Sequence, residues 1–332
     1  MRRPIPDVPQ DPRSRALWTC AAMAVFMMGA ASTVYSQGLR TRPMRIIVPS
    51  QPGGAADVVA RKIAVKLTET RGQQVVIDNR VGVVGAEIVA QSAPDGNTLL
   101  FSPDSLIMRE AVYEKLSYKT LRDFQPVTLA VVQPNVIAVQ ASLAAKSVQD
   151  LLALARSKPG DLSYGSAGNG SAQHMAGALL QLLARIDVLH VPYKGVPQAT
   201  ADLLGGRVDY IFGSPVSILP HVRENRLRIL AVTTAKRATF MPDVPTVGES
   251  GVSGYEYTGW LAMFAPRATP RPLVDKMQAD VARFVHEPDL KQLITNGGTE
   301  PLANTPDEFT AKLRSEIPRW TRVAREAGIK AD

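Results

Sequence analysis

Cysteine is almost absent from this sequence, since Cys20 is the only one among its 332 residues. It lies in an N-terminal apolar stretch that we assign to a removable signal, so the remaining chain has neither a disulfide nor a thiol nucleophile. Histidine is also scarce. The sequence has four histidines and no HExxH motif; they are His174, His190, His221 and His286. We therefore expect no metal site and no cofactor.

Aromatic residues are few, at 6% of the sequence, and no segment repeats at a solenoid-like period. The formal net charge of +8 can attract anions of many kinds. No arginine-rich run alternates with aromatic residues, so we expect no nucleic-acid partner. With 45% hydrophobic and 20% charged residues, the composition is that of a globular protein, and the length allows two domains.

The first 36 residues follow the three-part plan of a secretory signal. A polar, arginine-containing segment precedes the apolar run Ala16 to Ser32, and Val34-Tyr35-Ser36 offers small residues for cleavage before Gln37. The apolar run is shorter than the about 20 residues that a membrane-spanning helix needs, which disfavours an anchor. We expect cleavage near Ser36-Gln37 and a monomeric protein in the periplasm.

Strands and helices alternate in the first third of the chain, as in an open, largely parallel sheet. The predicted order is a strand at Met44 to Val48, a helix with Val59, Ile63 and Leu67 on one face, a strand at Val75 to Ile77, a helix at Ala86 to Ser92 and a strand at Thr98 to Phe101.

The middle of the chain repeats this scheme. Ser147 is expected to cap a helix, with Asp150 in the capping-box position three residues later. The predicted strands are Val136 to Val139, Leu162 to Tyr164, Val188 to Val191, Val208 to Phe212 and 226–234, and the later helices are Ala172 to Leu183 and Val196 to Leu204.

The last third is predicted to return to the first unit. It offers one strand, TGWLAMFAP at 258–266, and helices near Leu273 to His286, Asp289 to Thr295 and Pro306 to Glu326. We predict an α/β protein with two lobes, a hinge of two connections and a ligand cleft between them. Lobe 1 takes residues 37–135 and 233–332, and lobe 2 is inserted as residues 136–232, with 1–36 as the signal peptide.

The stretch VPSQPGGAADVVARKIAVKL, residues 48–67, runs from a strand through Pro52-Gly53-Gly54 into a helix. In open α/β sheets, ligands bind beyond the carboxyl ends of the strands, where this loop lies. Glycine lets the backbone approach a ligand, and the first amides of the helix lack intrahelical acceptors. The loop can therefore hold a carboxylate or phosphate, although tight strand–helix connections favour glycine for structural reasons alone.

Two further junctions resemble this one. GSAGNGS at 165–171 leads into a helix and adds the polar side chains of Ser166, Asn169 and Ser171. Gly213-Ser214 ends a strand just before a proline. Three such strand ends, taken from both units, favour a cleft that binds an anion.

Catalytic interpretations have less support. Neither Ser166 nor Ser171 has glycine two residues before it, so neither forms a nucleophile elbow. His174 lies one turn after Ser171 and is a candidate base for a secreted serine hydrolase, but a first-turn histidine is more often a neighbour of the helix cap. Asp57 is more typical of a helix N-terminal charge than of a catalytic acid. We expect no enzymatic activity.

Six segments, in this order, resemble the substrate-binding proteins of tripartite tricarboxylate transporters, the Bug family. They are 42–61, VVIDNRVGVVGAEIVAQSAPDGNTLLF at 75–101, 123–139, LSYGSAGNGSAQHMAG at 162–177, 188–212 and 230–251. The resemblance covers about the whole chain after residue 36. It implies a type II periplasmic-binding-protein fold that closes on a small carboxylate.

The resemblance also implies a set of ligand-binding residues. On one lobe these are Gln51, Gly53, Gly54, Asp57 and Ser102; on the other they are Ser166, Ala167, Gly168, Asn169, Gly170, Ser171, His174, Tyr193, Lys194, Gly213 and Ser214. Ser50 stands where relatives often have an aromatic residue, which should enlarge or wet the pocket. Ser214 follows Gly213 where relatives often have Asp-Asn, so a simple organic acid fits better than an amino acid.

The function implied is capture of a small organic carboxylate for delivery to the membrane subunits of a tripartite tricarboxylate-type transporter. A ligand sensor for a membrane signalling kinase needs the same closing cleft and stays open as an alternative. The serine hydrolase is the less favoured alternative. The sequence does not identify the carboxylate.

Overall fold

Two mixed β-sheets and the helices that cover them make up residues 42–330, the part of the chain that the computed structural model describes. The predicted signal peptide and its cleavage site lie outside the described residues. The strands are β1 (Met44–Val48), β2 (Val75–Asn79), β3 (Thr98–Pro103), β4 (Phe124–Pro134), β5 (Val136–Gln140), β6 (Ser163–Ser166), β7 (Leu189–Pro192), β8 (Tyr210–Gly213), β9 (Leu227–Val232), β10 (Thr258–Pro266) and β11 (Glu300–Pro301).

The helices lie between these strands and after β10. They are α1 (Ala55–Arg71), α2 (Val84–Ala90), α3 (Ser105–Val112), α4 (Thr120–Asp123), α5 (Val148–Ser157), α6 (Ala172–Ala184), α7 (Val196–Leu204), α8 (Pro215–Arg223), α9 (Arg271–His286), α10 (Pro288–Asn296) and α11 (Pro306–Glu326). Among the helices of residues 42–330, none has the length and apolar character needed to cross a bilayer.

The first sheet has the strand order β11-β4-β10-β3-β1-β2. Its strands β1, β2 and β3 run parallel, which confirms the predicted unit, whereas β10 pairs antiparallel with β3 and β4. The second sheet has the order β7-β6-β8-β5-β9, with β6 parallel to β7 and β8 and with β5 antiparallel to β8 and β9. Each sheet therefore has three parallel strands whose carboxyl ends meet at one edge.

Helix α1 shows how the sequence produces this packing. Val59, Ile63 and Leu67 recur at helical spacing, and all three are buried against the first sheet together with Ile46 and Phe101. Burying side chains of this size contributes about 1.5–3 kcal/mol each. The helix ends at Gly72, whose φ of 63° is the left-handed value that favours glycine.

Helices α5 and α11 each follow a residue whose side-chain hydroxyl caps the first turn. The Ser147 hydroxyl accepts a hydrogen bond from the Asp150 amide at 3.1 Å, as predicted for α5. At α11, Thr305 and Glu308 form a reciprocal capping box, and Pro306 occupies the first turn, where its missing N–H costs nothing.

The chain passes between the two sheets twice. The first crossing is Asn135, between β4 and β5, and the second is residues 233–257, between β9 and β10. The crossings touch, because the Thr233 amide donates to the Asn135 carbonyl at 2.9 Å and the Asn135 amide donates to the Thr233 hydroxyl at 3.2 Å. Tyr257 joins them through its amide, which donates to the Thr233 carbonyl at 2.8 Å. The predicted lobe boundaries fall beside these crossings and stay a prediction.

Candidate functional site

A cleft of about 1250 Å³ lies between the two sheets, at the edges where the parallel strands end. One wall, the first wall, carries the loops that follow β1, β2 and β3; the opposite, second wall carries those that follow β6, β7 and β8. Residues of the two crossings, among them Asn135 and Tyr257, line its base. This is where open α/β sheets place ligands.

The glycine turn after β1 is held by the protein's own groups. Gly53 has a φ of 80°, the left-handed region that favours glycine, and its amide donates to Asp57 Oδ2 at 2.8 Å. Gly54 has a φ of −71° and donates to the Gln51 carbonyl at 3.3 Å. Of these two glycines, only Gly54 lines the cleft.

Asp57 is buried beneath this turn and acts as a local anchor. Its carboxylate also accepts from Arg61 Nε at 3.0 Å and from Asn79 Nδ2 at 2.9 Å. Burial raises the pKa of Asp57, but the hydrogen bonds from Arg61, Gly53 and Asn79 outweigh burial and leave that pKa below its usual value. Asp57 is therefore an ionised structural group that is not part of the cleft lining.

The donors left for a ligand on the first wall lie beside that turn. Ala55 and Ala56 line the cleft in the first turn of α1, where amides have no intrahelical acceptor. Ser50 also lines the cleft, and its Oγ is buried without a hydrogen-bond partner among the described residues. An unpaired buried hydroxyl costs free energy, so a bound group that reached this oxygen would offset that cost.

The second wall is formed by the glycine turn between β6 and α6, residues 166–171. Gly168 and Gly170 have φ values of 114° and 68°, which favour glycine at both positions. The turn is closed by the Ser166 hydroxyl, which accepts from the Gly168 amide at 3.0 Å. The Ser171 hydroxyl caps α6 by accepting from the His174 amide at 3.2 Å.

Two stacked histidines support this turn from behind. The rings of His174 and His190 lie 3.7 Å apart at 8°, and burial lowers the pKa of His174 to about 4. Burial and the neighbouring His174 lower the pKa of His190 to about 3. Both rings are therefore neutral near pH 7, which lets His174 Nδ1 accept from the Gly170 amide at 3.1 Å. The nitrogen Nε2 of His190 lies 2.6 Å from the Ser166 hydroxyl.

The third junction supplies Ser214 to the cleft, and its hydroxyl lies 3.0 Å from that of Ser217. Gly213 stands behind it, because a Cβ on Gly213 would lie 2.9 Å from the Ile218 side chain. Lys194 lines the cleft, while the Tyr193 hydroxyl turns to Asp202 Oδ2 at 2.8 Å. Ser102 is fully buried in β3, and its hydroxyl donates to the Pro103 carbonyl.

The predicted site residues thus divide into two groups. Those that line the cleft are Gln51, Gly54, Ala167, Asn169, Gly170, Ser171, Lys194 and Ser214. Those that lie behind the lining are Gly53, Asp57, Ser102, Ser166, Gly168, His174, Tyr193 and Gly213. Contact of any of them with a ligand stays a prediction.

Two charged residues on the first wall, Asp104 and Arg109, line the cleft but were not predicted from the sequence. Asp104 directly follows β3 and is 4% exposed; it accepts from the Tyr257 hydroxyl at 2.8 Å. Burial raises the pKa of Asp104 to about 7. Arg109 lies on α3 and donates to the Gly82 carbonyl at 3.2 Å. The sequence could have indicated Asp104, because it lies just after a predicted strand. Nothing in the sequence places Arg109 at the cleft, because it lies within helix α3.

The second wall also holds a residue that the sequence did not indicate. His221, on α8, lines the cleft, and its Nδ1 is buried without a hydrogen-bond partner among the described residues. Glu224 lies 3.7 Å from that nitrogen. Each wall therefore presents one buried polar atom that lacks a partner, Ser50 Oγ on one side and His221 Nδ1 on the other.

The side-chain contacts also bear on the hydrolase alternative. The Ser171 hydroxyl accepts a hydrogen bond from the His174 backbone amide. The His174 ring accepts one from the Gly170 amide and stacks on His190. This arrangement positions a turn and does not pair a nucleophile with a base. Within residues 42–330, no group of three or more His, Cys, Asp and Glu side chains is placed to hold a metal ion.

Comparisons with known proteins agree on one family. The family model described as "Tripartite tricarboxylate transporter family receptor" matches residues 59–329. The "UPF0065 protein in tcbD-tcbE intergenic region" of Pseudomonas sp. (strain P51) is 36% identical, over 98% of both chains. The protein BugT of Bordetella pertussis is 33% identical, over 93% of this chain and 97% of BugT. The solved structure "R. palustris Rpa4515 with adipate" is 35% identical, with a TM-score of 0.78 over 88% of this chain and 99% of that one.

Proposed function

The chain belongs to the tripartite tricarboxylate transporter receptors, the Bug family, and from this premise we propose that it captures a small organic carboxylate and delivers it to a membrane transporter of the same system. The two-sheet fold with a cleft between the sheets is that of the family's periplasmic binding proteins. The relative Rpa4515, whose structure contains adipate, supports a carboxylate as the ligand.

One observation carries the proposal: helices from both walls begin at one cleft. The first or second residue of α1, α2, α3, α6, α7 and α8 lines it, namely Ala55, Val84, Ser105, Ala172, Val196 and Val216. The start of a helix carries partial positive charge and free amides, so a carboxylate gains from the helix starts it contacts. Arg109 and Lys194 add two full positive charges to the lining. Carboxylates are thus favoured over neutral solutes.

Closure of two lobes completes the proposed mechanism. In this proposal, lobe 1 is residues 37–135 and 233–332, lobe 2 is residues 136–232, and Asn135 and Thr233 form the hinge. A ligand bonded to Ala55 on one wall and to Asn169 on the other stabilises the closed form, because only that form offers both sets of donors. The closed form is then what the membrane subunits recognise.

The setting of this function is also part of the proposal. The protein acts as a monomer in the periplasm after removal of residues 1–36, without a cofactor and without catalytic turnover. The bonding of Ser171 and His174 to the backbone supports the non-enzymatic role.

Calorimetric titration of the secreted protein tests the binding step. Mono-, di- and tricarboxylates are titrated alongside their uncharged primary amides, and we expect at least one carboxylate to bind at micromolar concentration while its amide does not. Micromolar affinity corresponds to about 8 kcal/mol, which several charge-assisted hydrogen bonds can supply. Failure of every carboxylate, or equal binding of an acid and its amide, overturns the proposal.

Uptake measurements test delivery. Cells that lack the gene for this protein should take up the best carboxylate more slowly than cells in which the gene is restored. Normal uptake without the protein, combined with tight binding in vitro, would support the sensor alternative instead.

A further inference from the structure

We propose that the ligand is a monocarboxylate with a hydrocarbon body and that Asp104 is the residue that disfavours a second carboxylate. This inference rests on the proposed function and narrows its ligand class. It depends on three features of the cleft: the charged side chains in the lining, the apolar residues on both walls, and the placement of Asp104 on the first wall beside Tyr257.

The charge of the lining suits a single carboxylate. Two cations line the cleft, Arg109 and Lys194, together with one acid, Asp104. Arg109 is already bonded to the Gly82 carbonyl, and Lys194 is exposed. With Asp104 ionised, these three side chains have a formal charge of +1. Each further carboxylate on a ligand must be desolvated in the cleft, and this is costly wherever no cation or free amide is left to pair with it.

Apolar side chains occupy much of both walls. Val81 and Val84 lie on the first wall and are 51% and 48% exposed, while Val216 on the second wall is 48% exposed. Val196 and Leu204 extend the apolar surface along α7. Exposed apolar surface facing a cleft is covered favourably by a hydrocarbon, at roughly 25 cal/mol for each Å² removed from water. A polar tricarboxylate gains nothing from these side chains.

Asp104 adds a repulsive element. Its carboxyl is 4% exposed, lines the cleft and is bonded to Tyr257, which also lines it. Glu316 lies behind it and raises its pKa further, with Lys312 partly offsetting this effect. A second ligand carboxylate near Asp104 would face a like charge in a buried setting. Specificity commonly depends on such a repulsive group as well as on attractive contacts.

Hexanoate and adipate are the matched probes, since both have six carbons and adipate differs by a second carboxylate. Titration calorimetry at pH 8, where Asp104 is ionised, should give a hexanoate affinity at least about tenfold higher than that of adipate. In the Asp104→Asn protein the preference should narrow by about tenfold or more, because asparagine keeps an acceptor for Tyr257 without the charge. Tighter binding of adipate by the wild type, or an unchanged preference in the variant, overturns the proposal.

The hydrocarbon contacts are tested with chain length and with valine variants. Affinity should rise about fourfold for each methylene from butyrate to hexanoate, the value expected for a buried CH₂. The Val84→Ser and Val216→Ser proteins should each lose about three- to tenfold for hexanoate and less for acetate. Val65→Ser is the control, since Val65 is a 55% exposed valine on α1 that is not part of the lining. Equal losses for acetate and hexanoate, or the same loss in the control, contradict the assignment.

The two levels of proposal fail differently. If no carboxylate binds the wild type, the proposed function falls. If citrate, succinate or adipate binds more tightly than hexanoate at pH 8, carboxylate capture stands and only the ligand class is wrong.

Discussion

At the scale of single residues, the neighbouring glycines Gly53 and Gly54 have separate roles. Gly53 has the positive φ and bonds to Asp57, so it shapes the turn. Gly54 has an extended φ, open to any residue, but faces the cleft. The turn therefore needs glycine at one position for its conformation and at the other for space.

This division predicts two different phenotypes. Gly54→Val should abolish carboxylate binding with a small loss of stability, because the new side chain projects into the cleft; the only close neighbour of its Cβ is the Gln51 carbonyl at 3.3 Å. Gly53→Ala should cost about 1 kcal/mol of unfolding free energy, the penalty for a left-handed alanine, and retain binding. Calorimetry and urea unfolding of both proteins decide this. Wild-type affinity in a folded Gly54→Val protein would mean that the glycines serve the turn alone.

Asp104 makes a second prediction at this scale, through pH. Its folded-state pKa of about 7 lies above the usual 3.8, so its contribution to stability is present below pH 3.8 and is lost as pH rises through 7. The Asp104→Asn protein cannot ionise at this position, so it does not lose stability in this way as pH rises. The stability of the variant relative to wild type should be greater at pH 8 than at pH 5 by about 2 to 3 kcal/mol. Urea unfolding at both pH values measures it, and an equal difference at pH 5 and pH 8 contradicts the assignment.

At the scale of elements, the stacked histidines join β7 to the first turn of α6. Neutral rings are required there, because a proton on His174 Nδ1 would face the Gly170 amide donor. In the folded protein both pKa values lie below the usual 6.5, so the unfolded chain takes up protons first as pH falls. The pair therefore stabilises the fold above pH 6.5 and loses that contribution as pH falls from 6.5 to about 3.

His190→Phe tests this pair. Phenylalanine keeps the stack on His174 and Tyr164, and the Ser166 hydroxyl keeps its bonds to Gly168. Between pH 7 and pH 4.5 the variant should lose less stability than wild type, by roughly 2 kcal/mol. Unfolding curves at the two pH values provide the measurement. Parallel losses in both proteins would show that His190 does not titrate as described.

Regular elements were predictable where one signal dominated. Strands β1 and β10 and helices α7 and α11 have the predicted bounds. Strand β4 was not predicted; it contains Pro126 and Pro134, which disfavour a strand, and its antiparallel pairing with β10 accommodates both. Helix α8 was not predicted either, and it contains Pro220, a residue that disfavours the interior of a helix.

The site was only partly predictable, for a different physical cause. Glycine-rich strand ends are visible locally, and the three proposed turns do reach one cleft. Asp104 and Tyr257, which are 153 residues apart in the sequence, come together through the sheet order and the second crossing. The interpretation of Asp57 as a helix N-terminal charge and of His174 as a neighbour of the helix cap agrees with their bonds to the backbone of the turns.

At the scale of the whole molecule, the two crossings contact each other at Asn135 and Thr233, which the proposed mechanism takes as the hinge. The Thr233 hydroxyl is fully buried; it accepts from the Asn135 amide and donates to the Asn135 carbonyl at 3.1 Å. The backbone bond from Thr233 to Asn135 remains whatever the side chain is.

Thr233→Val should lower the free energy of unfolding by about 1–3 kcal/mol, because the Asn135 amide then lacks the hydroxyl acceptor in a buried position. Thr233→Ser is the matched control, since serine keeps the hydroxyl and loses one methyl group. Urea unfolding of the three proteins compares them. A serine variant as unstable as the valine variant would assign the loss to packing.

Cys20 is the only cysteine in the chain, so a cysteine introduced at an exposed valine of the cleft can be labelled selectively with a fluorescent dye. A single thiol introduced at Val216, on the rim of the second wall, accepts one environment-sensitive dye once the segment with Cys20 is removed. In the proposed mechanism, lobe closure would then change the emission of the dye. The same scarcity of cysteine that excluded a disulfide would thus make the molecule a starting point for a reagentless carboxylate sensor.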